Sequence, residues 1–285
     1  MNKSAVVTGA SSGIGLGLSQ LLAEDGYRVL MMDIHADRLA EAAASVGAAA
    51  ETFVGDIADP SVCTALADAA FDRFGTVDLV FANAGIGMTV PLIEATADQF
   101  DTVFNINTKG AWLSAQAFAR RWIDTGASGR LCLTGSEHSI GFQHAGSGLY
   151  TASKHALLGL ADVLRHELPE SISVSVLCPG LAATNIYDAR HVPGTALRSE
   201  RAIEFSKAIM DRGMSPREVA RHAIDYTLQG EFLIFTHAVS RPPADTRWQE
   251  IDRAFRLQAP PGPDDDKYDV NKVVADVRAA FKSRQ

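Results

Sequence analysis

Ala5-Val6-Val7-Thr8-Gly9-Ala10-Ser11-Ser12-Gly13-Ile14-Gly15 carries a short apolar run through three glycines into an amphipathic stretch that lasts to residue 25. A strand that turns directly into a helix aims the free N–H groups of the helix's first turn at one spot. Glycine there permits a tight turn and the close approach of a pyrophosphate. A glycine corner alone also serves any turn that needs positive φ, so the strand before it and the helix after it give this one its weight. No Lys-Ser/Thr pair follows Gly15, which sets the turn apart from the phosphate loop of kinases and NTPases.

Further apolar runs follow at 28–33, 50–55, 77–83, 129–134, 172–178 and 232–235, with helical stretches between them. Val77-Asp78-Leu79-Val80-Phe81-Ala82 is apolar on both faces, as a strand covered by helices on each side must be. Helix starts are marked by Ser11 and Ser12, by Asp37, by Asp59-Pro60 and by Ser215-Pro216. The pattern predicts an α/β fold: a single Rossmann-type, doubly wound parallel sheet of about seven strands with an extended C-terminal tail. Residues 1–240 form the expected Rossmann-type domain. Within it the βα rhythm stops over 181–204, where a substrate loop would lie beyond a late strand. Residues 241–285 hold five of the eleven prolines and a last helical run near 270–281, and read as a Pro-rich, helical, mobile or partner-facing extension.

Composition narrows the function. The 285 residues are 47% hydrophobic and 21% charged, with 26 basic against 34 acidic side chains and a net charge of −8. That balance speaks against nucleic acid as a partner. The apolar runs are too short to span a bilayer, so no membrane partner and a cytoplasmic location are expected. Cys63, Cys132 and Cys178 are widely spaced and suit buried thiols better than a disulfide framework or zinc site; no metal is expected.

Asp33 ends the second strand, eighteen residues after Gly15, where a carboxylate can accept hydrogen bonds from both ribose hydroxyls of an adenosine and would repel a 2′-phosphate. Neither Ser12 nor Ile34 offers a cation to offset that repulsion, so NAD is favoured over NADP, with Arg38 the nearest residue to weigh against this. Asp56 and Ile57 after the third strand and Asn83-Ala84-Gly85 after the fourth stand where a dinucleotide would run. Tyr150 and Lys154 are four apart at the start of a long amphipathic run and share a helix face. An ammonium near a phenol stabilises the phenolate, and an oxidised nicotinamide would add to this, so a depressed tyrosine pKa is expected.

The Thr8-Gly9 to Gly15 turn, Asp56, Asn83-Ala84-Gly85, Asn105-Ile106-Asn107, Ser136, Tyr150 to Lys154 and Pro179-Gly180 with Thr184 occur in an order that resembles the short-chain dehydrogenase/reductase family over residues 1 to about 236. The resemblance implies an NAD-dependent alcohol dehydrogenase or ketone reductase. It assigns substrate polarisation to Ser136, proton transfer to Tyr150, the nicotinamide ribose and the tyrosine pKa to Lys154, and a water-linked relay to Asn107. Gly9, Ser11, Ser12, Gly13, Ile14, Gly15, Pro179, Gly180 and Thr184 would bind the cofactor. The family's serine commonly stands thirteen residues before the tyrosine, but Glu137 fills that place here. Ser136 is favoured because it continues a strand to its carboxyl end, with Ser139 the alternative. A catalytically silent NAD-binding regulator or scaffold of the same fold is the competing reading; the intact proton-transfer residues argue against it.

For the substrate, His138, Gln143, Leu181, Ile186 and Tyr187 are the candidate contacts, on segments whose apolar character suggests a bulky, uncharged alicyclic, terpenoid- or steroid-like or aromatic alcohol. Trp112, Leu113, Phe118, Trp122, Leu157, Leu160 and Leu164 give two helices more apolar surface than one core side requires, so a homodimer or homotetramer is expected, as the family usually forms.

Overall fold

In the computed structural model, which describes residues 3–141, 144–188 and 199–282, each apolar run of the sequence is a strand. The chain alternates β1 (Ser4–Thr8), α1 (Gly13–Glu24), β2 (Arg28–Asp33), α2 (Ala36–Val46), β3 (Ala50–Val54), α3 (Pro60–Phe74) and β4 (Leu79–Ala82). It continues through α4 (Ala97–Phe104), α5 (Ala111–Thr125), β5 (Gly129–Thr134), α6 (Gly148–Glu167), β6 (Ile172–Cys178), α7 (Glu200–Met210), α8 (Pro216–Gln229) and β7 (Leu233–Phe235). The seven strands form one parallel sheet in the order β3-β2-β1-β4-β5-β6-β7. The winding reverses between β1 and β4, so a crevice opens beyond their carboxyl ends, the usual ligand position of such a sheet.

Alternation along each strand feeds two cores. Val6, Leu30, Val80, Leu131 and Val176 pack on one face with Phe118 and Trp122 of α5 and Leu157 of α6. Their neighbours Val7, Met31, Phe81, Cys132 and Leu177 pack on the other with Leu18 and Leu22 of α1 and Val219 and Ile224 of α8. Fully burying one such side chain contributes about 1.5–3 kcal/mol, which is why a strand apolar on both faces has to be central.

Several boundaries differ from the sequence expectation. β4 starts at Leu79, just after Asp78, whose carboxylate accepts the Ser4 N–H at 2.8 Å. Asp37 sits in the first turn of α2, whose N-cap is His35. Helix α5 is preceded by a π-helical turn, Asn105–Gly110, which contains the Asn105-Ile106-Asn107 motif. Asp59 and Ser215 do cap: Asp59 accepts from the Ser61 N–H, and Ser215 and Glu218 form a reciprocal capping box. The three cysteines are buried free thiols. Phe118, Trp122 and Leu157 are wholly buried in the chain's own core, so they do not supply the outward surface expected of them. Trp122 is fixed there by an Nε1–H bond to the Val77 carbonyl, 2.7 Å.

Packing divides the chain into Met1–Arg241 and Pro242–Gln285. The second unit contains most of α9 (Arg241–Gln258), a 3-10 turn at Asp265–Tyr268 and α10 (Val270–Lys282). Pro242 and Pro243 fall in the first turn of α9, where no intrahelical N–H donor is required, so they start a helix instead of breaking one. No described helix is long and apolar enough to cross a membrane.

Candidate active site

The glycine turn is built for close approach. Gly9 and Gly13 have φ of 65° and 53°, in the left-handed region. Gly15 is required by space: a Cβ there would stand 2.1 Å from the Gly9 carbonyl oxygen. Ser12, the N-cap of α1, makes no side-chain capping bond, so its hydroxyl does not occupy the N–H groups of the first turn. Thr184 lies over this turn, its Cγ2 3.2 Å from where a Gly13 Cβ would be.

A cavity runs from this turn across the carboxyl ends of the central strands. Gly9, Ser11, Ser12, Gly13, Ile14, Asp33, Asp56, Ile57, Asn83, Ala84, Gly85, Tyr150, Lys154, Pro179 and Thr184 all line it. Gly15 lies behind the turn and Gly180 against the His237 ring, and neither lines the cavity. Asp33 is buried, and its two carboxylate oxygens accept the Ser11 and His35 N–H groups at 3.1 Å each. Those bonds fix the carboxylate at the edge of the cavity and leave it lone pairs for ribose hydroxyls. Ile34 and Arg38 line the same end. The strand ends are stitched by a polar chain: Thr8 Oγ1 accepts the Asn83 and Ala84 N–H groups at 3.0 Å, Asn83 Nδ2 donates to Thr8 O at 3.1 Å, and Thr134 Oγ1 donates to Asn83 Oδ1 at 3.2 Å. The glycine turn, Asp33 and this length of strand ends fit an extended dinucleotide.

At the far end Tyr150 and Lys154 stand together on α6, with the Lys154 Nζ 5.7 Å from the centre of the Tyr150 ring. Lys154 is almost wholly buried and donates to the Thr134 carbonyl at 2.7 Å. Burial pulls its ammonium down to about 8, against a partial offset from Cys178. Burial pushes the Tyr150 phenol up to about 12; a hydrogen bond from Ser136 opposes this, and Glu137 and Cys178 add to the rise. The depressed tyrosine pKa expected from the sequence is therefore not supplied by these side chains alone, because desolvation outweighs the lowering by Ser136.

The serine turn distinguishes the two candidates. Ser136 is buried, its Oγ accepts the His138 N–H at 3.2 Å, and its hydroxyl favours the Tyr150 phenolate. Ser139 points back, its Oγ accepting the Ser136 N–H at 3.2 Å. Asn107 sits in the π-helical turn with its side chain committed: Nδ2 donates to Ile86 O (2.9 Å) and Ser153 Oγ (3.1 Å), and Oδ1 accepts the Ile86 N–H (2.8 Å). The side chain thus locks the loop after β4 to α6, a positioning use that the Asn105-Ile106-Asn107 spelling does not reveal. π-turns recur at functional sites because they break the regular ladder of helix bonds.

On the substrate side the residues separate. Ile186 lines the cavity, and its carbonyl accepts the Gly87 N–H at 3.0 Å. His138, Leu181 and Tyr187 do not line it. The carbonyl of Leu181 accepts from Met214 N–H (2.9 Å), and the Tyr187 hydroxyl donates to Asn185 Oδ1 (3.4 Å). His138 packs edge-on to Tyr150, 5.2 Å between ring centres, with its Nδ1 2.7 Å from Thr151 Oγ1. Burial, then His144 and His155, pushes its imidazole down to about 4. Gln143 lies outside the described residues, as does 189–198 of the substrate loop. Thr134, Asn185 and Asp188 line the cavity without having been singled out in the sequence; of these only Thr134, the last residue of a strand, had a positional signal. Among the described residues no three His, Cys, Asp or Glu side chains gather as a metal site would require.

The chain is 42% identical over 186 residues to a 1-deoxy-11-beta-hydroxypentalenate dehydrogenase of Streptomyces avermitilis, covering 63% of this chain and 68% of that protein. It is 34% identical to the protein of that name from Streptomyces exfoliatus, over 95% of this chain and 96% of the other. A solved short chain dehydrogenase/reductase of Burkholderia phymatum in complex with NAD superimposes with a TM-score of 0.83 at 28% identity, over 92% of this chain and 97% of that one. The family model described as short chain dehydrogenase matches residues 3–191. Fold, cavity and kinship agree: this chain belongs to the short-chain dehydrogenase family, as an NAD-linked oxidoreductase of alcohols and ketones.

Proposed function

We propose that the chain oxidises a secondary hydroxyl on a bulky, uncharged alicyclic, terpenoid- or steroid-like or aromatic skeleton, and reduces the matching ketone. Residues 1–240 would carry the reaction. The observation that carries the site assignment is Tyr150 with the buried Lys154 ammonium 5.7 Å from its ring centre, both lining the end of a cavity that begins at the glycine turn. When bound in this cavity, NAD would supply the hydride acceptor and a positive ring that would favour the Tyr150 phenolate. Ser136 then holds the substrate oxygen, Tyr150 takes the hydroxyl proton, and Lys154, fixed by the Thr134 carbonyl, supports the phenolate and meets the ribose. Asn107 keeps the loop after β4 in register with α6. Asp33 accepts the adenosine ribose hydroxyls.

The hydroxypentalenate named for the two Streptomyces relatives supports a substrate with a large skeleton. The ending of that name denotes a carboxylate, so charge is the part of the proposal to test first. Borneol, 1-phenylethanol, cyclohexanol and acetoin, with 3-hydroxybutyrate as the anionic probe, would be incubated with NAD and followed by absorbance of the reduced nicotinamide. Turnover should be highest with borneol or 1-phenylethanol; turnover confined to 3-hydroxybutyrate or acetoin overturns the substrate class.

We infer a homodimer or homotetramer in the cytoplasm. Ile123 on α5 and Val163 on α6 are 51% and 54% exposed, and Trp112 and Leu160 are partly exposed on the same two helices. Light scattering at the monomer mass across micromolar concentrations would refute the assembly.

A further inference from the structure

Glu137 ties the serine turn to two other segments. Its main-chain N–H donates to the Pro179 carbonyl at 2.9 Å. Its carboxylate accepts the hydroxyl of Ser240 at 2.7 Å, across 103 residues of sequence. Ser240 is buried, 2% exposed, in the 3-10 turn Ala238–Ser240 that follows β7. The same segment grips Pro179-Gly180: His237 Nδ1 accepts the Gly180 N–H at 3.2 Å, and a Cβ on Gly180 would stand 2.8 Å from the His237 ring. Three turns therefore close on one another: Ser136 with Glu137–Ser139, Pro179-Gly180, and residues 236–240.

The serine turn needs such support. Glu137–Ser139 is a three-residue 3-10 helix, too short to hold itself by its own ladder. Ser136, which begins it, has to hold the substrate oxygen beside Tyr150, and a misplacement of about 1 Å can cost about 10²-fold in rate. A hydrogen bond to an ionised acceptor is roughly twice as strong as a neutral one, and here the donor comes from a buried residue, so it is shielded from competing water.

We propose that Ser240 and Glu137 are a positioning pair: the Ser240 hydroxyl, through the Glu137 carboxylate, holds the serine turn against Pro179-Gly180 and so keeps Ser136 on Tyr150. The proposal rests on reading Ser136 and Tyr150 as the working pair.

Two readouts test it on the full-length chain. In amide hydrogen exchange, Ser240→Ala should speed exchange of the Glu137 and Ser139 N–H groups at least tenfold and leave residues 4–8 of β1 unchanged. In turnover of the best alcohol of the panel above, Ser240→Ala and Glu137→Ala should each lower kcat about tenfold with the Kd for NAD within about twofold. The double variant should be no worse than the poorer single one. Glu137→Gln, whose amide oxygen still accepts from Ser240, should stay within about threefold of the parent. Normal exchange and kcat in Ser240→Ala overturn the proposal, as does Glu137→Gln as damaging as Glu137→Ala, or losses that multiply in the double variant. If Glu137→Ala fails to fold, Ser240→Ala decides. Near-normal turnover in Tyr150→Phe would instead sink the catalytic reading, and the exchange measurement would still judge the pair.

Discussion

The two ends of the cavity are made in different ways. At the Asp33 end the chain works with main chain and shape: glycines at positive φ, a carboxylate held by two backbone N–H groups, and a helix start whose N-cap side chain makes no capping bond. At the Tyr150 end it works with desolvated charge. Tyr150 is pushed up to about 12, Lys154 down to about 8 and His138 down to about 4, each chiefly by burial. Holding a cofactor calls for a fixed surface that survives sequence change around it. Moving a proton calls for groups whose charged and neutral states are brought close in energy, and burial is the means.

The largest expected effect tests that contrast directly. Tyr150→Phe keeps the ring and leaves the glycine turn and Asp33 untouched, so NAD should bind with near-normal Kd while turnover falls by a factor of about 10² to 10⁴. With Tyr150 taking the hydroxyl proton, as proposed, alcohol oxidation in the parent would need the phenolate. The chain alone raises the phenol's pKa, so the oxidation rate should climb with pH beyond neutrality and ketone reduction, which needs the phenol proton, should fall. A pH-independent oxidation rate between pH 6 and 9 would contradict this.

Gly15→Ala attacks the other end. Its Cβ meets the Gly9 carbonyl oxygen, which is main chain and cannot swing away, so a loss near the upper end of the usual 1–3 kcal/mol for overpacking is expected. Calorimetry should show a lower Tm and weaker NAD binding together; an unchanged Tm would mean that the turn is looser than its geometry.

His138 sharpens the comparison through pH. Its imidazole is lowered from 6.5 to about 4 in the fold, so between those values the unfolded chain binds a proton that the folded chain refuses, and stability is lost as pH falls. His138→Gln removes this loss. Urea unfolding at pH 7 and 4.5 should show the parent losing about 2 kcal/mol more than the variant over that interval. Equal losses would place the imidazole in contact with water.

The smallest effect concerns cofactor choice. Asp33→Ala should weaken NAD and relieve repulsion of a 2′-phosphate, with Arg38 already at the rim of the cavity. The ratio of the NAD and NADP dissociation constants should move about tenfold, equivalent to about 1.4 kcal/mol. An unmoved ratio would take Asp33 out of the selectivity.

What the sequence by itself determined is what depends on spacing within one element or across one turn. The double-sided apolar runs required a central parallel sheet, the three glycines between a strand and a helix required a phosphate-sized corner, and Tyr150 and Lys154, four apart, had to share a helix face. Asp33 was legible for the same reason, as the last residue of a strand. Tertiary structure decided whatever depends on partners far along the chain. Ser136 and Ser139 are both hydroxyls in one loop, and only the fold shows that Ser139 turns back onto the Ser136 N–H while Ser136 favours the Tyr150 phenolate. The apolar residues of α5 and α6 look alike in sequence, yet Phe118, Trp122 and Leu157 face inward while Ile123 and Val163 do not. The tyrosine's proton affinity reversed its expected direction because desolvation is a property of everything packed around a group, and no spacing of Tyr and Lys encodes it.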